Sequence, residues 1–260
     1  MRKDLRIPDP VRYLISLGFW AAVWWTVSAC VGSEVLIPSP PAVAVRLWSL
    51  LGTPDFYTAL LFSVARIVLG FASAVLVGAV LGVLSARSVI ADTIISPVLS
   101  VIKATPVASF IILALVWINK DLIPVFISAL MVLPIIHGNT REGMLSAGKD
   151  LLEMAKVFGF SRTDRLKMIY FPSVMPYLIA GLRTSLGLAW KAGVAAEVLS
   201  LAANSIGKNL YNSKIYLETA DMFAWTAVVI IMSIILERLM MLLLGLLQRK
   251  KRYVDDKRPA

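Results

Sequence analysis

The sequence predicts an all-α, polytopic membrane protein with about six transmembrane helices, and three observations predict it. Of its 260 residues, 58% are hydrophobic and only 16% are charged, and the mean hydropathy is +0.80; an average soluble domain is about 45–50% apolar. The apolar residues gather into runs near or above the ~20 residues that cross a hydrocarbon core. The basic residues, which bring the net charge to +10, cluster between those runs. That is how membrane-flanking charge is distributed, and it argues against a nucleic-acid surface.

Six runs emerge, at residues 13–32, 60–86, 94–118, 122–139, 174–200 and 220–247. The first follows basic residues, as the core of a signal peptide does. It is long and no small-residue cleavage site follows, so it reads as a retained helix. Its Cys30 is the only cysteine. It has no disulfide partner within the chain and no metal-ligand company, and the expectation is a buried structural thiol. The second run carries Gly70, Ala74, Gly78, Gly82 and Ala86 at four-residue spacing, a small-residue stripe that lets another helix approach closely. Ordinary helix packing is the favoured role. The third is interrupted by Pro97, Lys103 and Pro106. It is expected to begin as an irregular or re-entrant stretch, covered by protein or water. His137, the only histidine, ends the fourth; it is expected to be a satisfied polar residue and cannot make a two-histidine metal site.

Placing the amino terminus in the cytoplasm puts Arg2, Lys3, Arg6, Arg12, Arg87 and the basic residues of 141–167 and 249–258 on that side. The other side keeps only Arg46, Lys120, Lys208 and Lys214, as the positive-inside rule requires. The chain divides into a cytoplasmic amino terminus (1–12), a membrane domain (13–247) containing a polar cytoplasmic loop (141–172), and a basic cytoplasmic tail (248–260).

Arg66, Lys103, Arg183, Lys191 and Glu197 lie in or near the predicted spans. A charge at mid-membrane costs about 2.5–3.5 kcal/mol on insertion scales, so such groups face a partner or a wet cavity. Arg66 and Arg183 sit near span ends, where snorkelling suffices. Lys103 and Lys191 lie deeper; attraction of an anionic solute and pairing within the fold both remain open. Glu197 follows Lys191 by ~9 Å of rise and about 120° of rotation on an ideal helix, so the two point different ways. It continues the stripe Ser185, Ala189, Gly193, which places it on a packing face or at its outer mouth. Lys103, Lys191 and Glu197 are the candidate path residues. No glycine-rich phosphate loop and no nucleophile–base motif is present, and an intramembrane enzyme would need more convergent acids and histidines.

Residues 153–172 read EMAKVFGFSRTDRLKMIYFP, a polar segment between apolar runs. Helix formers fill 151–158, with Leu152, Ala155 and Phe158 at helical spacing. Gly159 ends that helix. Ser161 caps a second helix over 163–170, with Asp164 completing a capping-box pattern, and Pro172 closes the segment. The stretch resembles the cytoplasmic loop of binding-protein-dependent ABC-transporter permeases, whose signature is Glu-Ala-Ala, three residues, Gly, nine residues, Ile, one residue, Leu-Pro. Glu153, Ala155, Gly159, Ile169 and Pro172 match in identity and register; Met154 and Phe171 replace an Ala and the Leu.

Residues 35–51, 63–82, 103–106, 181–197 and 216–225 resemble the nitrate/sulfonate/taurine branch of those permeases, extending the likeness over about residues 33–245. The resemblance implies the type-I ABC importer permease architecture in a bacterial cytoplasmic membrane. It implies that the 153–172 loop docks on an ABC ATPase subunit and that an extracytoplasmic solute-binding protein delivers the solute. A second permease copy, in a homodimer, would complete the path within membrane lipid. ATP and Mg would be bound by the partner ATPase, and this chain would bind no cofactor and perform no catalysis. The branch and the interior lysines point to a small anion such as nitrate, a sulfonate or taurine. In the resembling family an acidic residue recurs at the position of Glu197. A self-contained secondary carrier or channel is the alternative. It would need acidic coupling-ion sites in repeated halves, whereas Glu197 is the one deep acid in view and no repeat is visible.

Overall fold

The computed structural model describes residues 9–255; Arg2, Lys3, Arg6 and Arg258 of the charge analysis, and the ends of both terminal segments, lie outside them. Among the described residues there are helices and no strand. In order they are α1 (Asp9–Val31), α2 (Pro40–Leu51), α3 (Pro54–Arg87), α4 (Val89–Ala104), α5 (Val107–Ala114), α6 (Ile123–Leu145), α7 (Lys149–Val157), α8 (Arg162–Arg165), α9 (Phe171–Ser200), α10 (Ile206–Ile215) and α11 (Thr219–Asp255). A π-helical turn, Leu166–Tyr170, joins α8 to α9. The predicted apolar runs are helical apart from single end residues in two of them, except that the third is interrupted between α4 and α5 and leaves the helix after Ala114. α3, α6 and Thr219–Leu246 of α11 are each long and apolar enough to cross a membrane, and α4 with α5 adds a fourth span if the bent pair counts as one. The charges at Arg183, Lys191 and Glu197 make α9 less apolar than these.

The chain falls into two compact units. The first comprises the described part of Met1–Thr58 together with Asn209–Val228. Within it, Trp24 donates from Nε1 to the carbonyl of Pro38 at 3.1 Å and stacks on Phe223, while Phe56 stacks on Trp225. Arg46 and Asp221 form a two-pronged ion pair, with Nη2 to Oδ2 at 2.8 Å, the planar geometry that makes Arg–carboxylate pairs strong. That hydrogen bond holds the Arg46 pKa above its ordinary value. Cys30 is exposed on α1, contrary to the expected buried thiol. α1 is apolar around most of its circumference, so an apolar setting in the sequence did not single out a packed face.

The second unit comprises Ala59–Lys208 and the described part of Val229–Ala260. Its centre is α9 running along α6, with α4 against α6 and α5 against both α6 and α9. Ile102, Ile111, Ile123, Ile127, Met131, Ala192 and Ala196 form its main apolar cluster. The small-residue stripe of α3 faces α6. A Cβ added at Gly82 would stand 2.7 Å from the His137 carbonyl oxygen and 2.8 Å from Thr140 Cβ; Gly70 abuts the Val125 carbonyl. Only glycine permits that approach.

Two expectations are corrected. The irregularity of the third run is not at its start: α4 passes through Pro97 unbroken, and the break falls at Thr105–Pro106, where α5 turns away by 103°. Pro106 has no N–H and biases Thr105 to an extended backbone, observed at ψ 132°, so the helix stops there. The fourth run continues as helix to Leu145, which places Arg141 on α6 and outside any loop. There it grips Asp92 of α4, Nε to Oδ1 at 2.9 Å and Nη2 to Oδ2 at 2.7 Å.

Gly82→Ala should destabilise the purified protein by about 1–3 kcal/mol, the cost of overpacking a close contact. Gly245→Ala, where a Cβ meets nothing within 4 Å, should be neutral. Detergent-unfolding curves for the two variants provide the comparison.

Candidate functional site

The loop between α6 and α9 is a folded object with a core of its own. Ala147, Ala155 and Ile169 are buried together, with Leu152, Phe160 and Tyr170 packed around them. Local chemistry sets the path. α7 ends at Gly159, whose φ of +67° is the left-handed conformation that glycine adopts without penalty. The reversal returns the Phe160 amide to the Ala155 carbonyl at 2.9 Å and the Gly159 amide to Lys156 at 3.2 Å. The chain then re-enters a helix through a true capping box: the Asp164 amide donates to Ser161 Oγ at 3.1 Å, and the Ser161 amide donates to Asp164 Oδ2 at 3.3 Å. Arg87, at the end of α3, lies over the Tyr170 ring, 5.6 Å from its centroid.

The matched motif residues therefore do different jobs. Ala155 is fully buried and Ile169 nearly so; they build the loop's core. Gly159 makes the turn. Glu153 is exposed on α7, beside an apolar surface made by Leu151, Met154, Val157 (84% exposed) and Phe158 (72% exposed). Phe158 caps α7, and the Gly159 reversal brings Phe160 inward instead. One reading of this segment is corrected: Pro172 does not close it but sits in the first turn of α9, and helix runs without a break from Arg162 to Ser200. A π turn precedes it, with the Phe171 amide on the Leu166 carbonyl, and Pro97 of α4 and Pro176 of α9 likewise sit within unbroken helix.

The three candidate path residues end up in different settings. Lys103 lines a cleft of about 310 Å³ between α4 and α6, with Asp92, Ser96, Ser100, His137 and Arg141 among its walls. His137 is otherwise satisfied by Ser85 Oγ at 2.9 Å. Lys191 is exposed on α9. Among the described residues, no carboxylate lies within ion-pair distance of either lysine. Glu197, by contrast, is 0% exposed. Its Oε2 accepts from Ser63 Oγ at 2.8 Å and from the Gly207 amide at 3.2 Å, and Arg66 Nη1 stands 4.0 Å from Oε1. Arg66 also reaches Asp121 at 3.6 Å, and Asp121 accepts from the Ala203 amide at 2.6 Å. Arg66 therefore does not snorkel; it sits inside a charged network.

The sequence reading missed Asp121 and Ser63, which lie 82 residues from Ala203 and 134 residues from Glu197 along the chain and carry no local motif. It also missed Glu237 of α11, an acid deep within the predicted 220–247 span. Glu237 lines a cavity of about 150 Å³ with Arg183, Leu186, Met240 and Met241. No group of three or more metal-ligating side chains occurs among the described residues.

The fold and the loop define a multi-pass permease subunit. Residues 74–253 match the family model for binding-protein-dependent transport system inner membrane components, and the chain belongs to that family. It is 29% identical over 222 residues to the nitrate import permease protein NrtB of Synechococcus elongatus, covering 81% of this chain and 79% of that one. It is 27% identical over 246 residues to the taurine transport system permease protein TauC of Escherichia coli, covering 91% and 89%. A putative aliphatic sulfonates transport permease protein, SsuC of Bacillus subtilis, is 24% identical over 205 residues, covering 78% and 74%. These matches place the chain in the nitrate/sulfonate/taurine branch as the membrane permease subunit of an ABC importer. They set aside the carrier and channel alternatives.

Gly159→Val should disorder the loop locally. A β-branched residue held left-handed costs at least the roughly 1–2 kcal/mol of that conformation, about a 5–30-fold shift in an opening equilibrium. Amide hydrogen exchange across 150–170 should accelerate by that factor, while exchange in α6 and α9 stays unchanged.

Proposed function

We propose that this chain, paired with a second copy of itself in a bacterial cytoplasmic membrane, forms the translocation path of an importer for a small anion such as nitrate, a sulfonate or taurine. The 153–172 loop seats in a cleft on an ABC ATPase subunit, and an extracytoplasmic solute-binding protein delivers the solute. ATP and Mg bind to the ATPase, and the permease performs no covalent chemistry. Its part is a rigid-body switch of the path between outward- and inward-facing states.

The preorganised loop carries this reading. Its fold is held by its own core, its turn and its capping box, yet its α7 face leaves Met154, Val157 and Phe158 exposed next to Glu153. An apolar patch rimmed by charge on a prefolded helix is the surface a protein partner covers. Glu153 has no hydrogen bond or ion pair within the described chain, which leaves it available to a partner. The anion preference is supported by the names of the relatives and by the two lysines without carboxylate partners. An ammonium at that depth seeks water or a counter-charge.

Two experiments test the proposal. Glu153→Arg reverses a charge at the dock and should release the ATPase from the detergent-solubilised complex, or uncouple its hydrolysis from uptake, while the permease inserts at wild-type levels. Normal assembly and uptake in that variant would contradict docking through this face. For the path, Lys103→Met and Lys191→Met should each reduce uptake of the anion in proteoliposomes by about tenfold, the factor that 1.4 kcal/mol of lost charge attraction provides. Unchanged uptake by a stable double variant would remove the lysines from the path.

A further inference from the structure

The carboxylate of Glu197 is placed on the amino-terminal turn of α10. The first three amides of α10 each find a side-chain acceptor: Ile206 donates to Ser63 Oγ at 3.0 Å, Gly207 to Glu197 Oε2 at 3.2 Å and Lys208 to Ser205 Oγ at 3.0 Å. Ser63 Oγ donates in turn to Glu197 Oε2 at 2.8 Å, so α3, α9 and α10 meet at one carboxylate oxygen. Ser63, Glu197, Ser205 and Ile206 are all buried. The contact is tight as well as polar, since a Cβ at Gly207 would stand 2.5 Å from the Val198 nitrogen and 2.7 Å from the Glu197 carbonyl carbon. A carboxylate at a helix amino terminus is favoured both by the unpaired amides and by the helix dipole.

At its other end α9 is continuous, through the π turn, with the 162–170 part of the loop. Its 30 residues make a rod about 45 Å long. We infer that Glu197 is a positioning residue that locks the first turn of α10, Ile206–Lys208, to the outer end of α9, so that α9 carries movement between the loop and that turn as one body. This inference rests on the docking reading proposed above. It assigns to Glu197 a role in transmission rather than contact with the solute. The acceptor oxygen is what the lock requires, and an amide side chain supplies one.

The test uses the complete transporter, permease with its ATPase, in lipid nanodiscs with its solute-binding protein. Assembly, basal ATP hydrolysis and stimulation of hydrolysis by the binding protein are read separately. Glu197→Gln keeps the acceptor for the Gly207 amide and should retain stimulation within about twofold of wild type. Glu197→Ala should assemble with the ATPase and hydrolyse ATP at the basal rate, yet lose at least tenfold in stimulation. Intact assembly with wild-type stimulation in Glu197→Ala would overturn the inference, as would equal losses in Gln and Ala. Should Glu197→Ala fail to fold, Ser63→Ala decides: lost stimulation with normal assembly supports the lock, and full stimulation refutes it. Failure of the docking reading would show differently, as a Glu153→Arg complex that assembles and couples normally.

Discussion

The close approach of α9 to α3 and α6 is the constraint on which the second unit depends. In hydrocarbon the helices gain little by hiding apolar surface from lipid, so contact must come from small residues and satisfied polar groups. Ser185, Ala189, Gly193 and Glu197 follow one another at four-residue steps along α9 and are all buried. Ser128 Oγ reaches across from α6 to the Ala189 carbonyl at 3.2 Å. A Cβ at Gly193 would meet Ile67 at 2.5 Å and Ser128 Oγ at 2.6 Å. On another side of α9, Trp190 donates to the Val229 carbonyl at 2.9 Å. α9 can therefore carry three charged residues and remain in the membrane domain, because the acid among them is enclosed by partners and the two cations are not on that face.

The same helix connects two regions of different character. At one end stands a loop that is folded before any partner arrives, with Ala155 and Ile169 inside and Val157 and Phe158 outside. At the other stands a network in which Arg66 lies between Asp121 and Glu197. Two buried polar atoms there, Arg66 Nη1 and Glu197 Oε1, have no hydrogen-bond partner among the described residues. A buried charge pair held at 4.0 Å without direct bonding is costly compared with a closed one. The network is thus fully bonded at Glu197 Oε2, where Ser63 of α3 and Gly207 of α10 both donate, and loosely bonded at Oε1 toward Arg66.

Local chemistry was legible in the sequence wherever it is local in the fold. Gly159, Ser161 and Asp164 announce the turn and the cap within six residues, and the structure has both. The stripe ending at Glu197 was readable because helical periodicity puts those residues on one face. What periodicity could not supply was the partner. Ser63 and Arg66 come from α3 and Asp121 from the α5–α6 connection, and nothing along the chain marks them as neighbours of Glu197. Pro172 was misread for a related reason: a proline disfavours helix locally, yet the helix continues past it here, as it does past Pro97 and Pro176. Glu237 was overlooked because it lies in the middle of the apolar run of 220–247, where hydropathy averages over a few isolated charges.

The most direct test of the account is crosslinking at the loop. In a Cys30→Ser background, Phe158→Cys would be exposed in intact cells to a membrane-impermeant thiol reagent and, in inverted vesicles, to a short bifunctional crosslinker with the cognate ATPase present. The account predicts protection from the external reagent and a specific crosslink to the ATPase that depends on its nucleotide state. Labelling from outside the cell, or an accessible inner-face cysteine that never crosslinks to the ATPase, would contradict it.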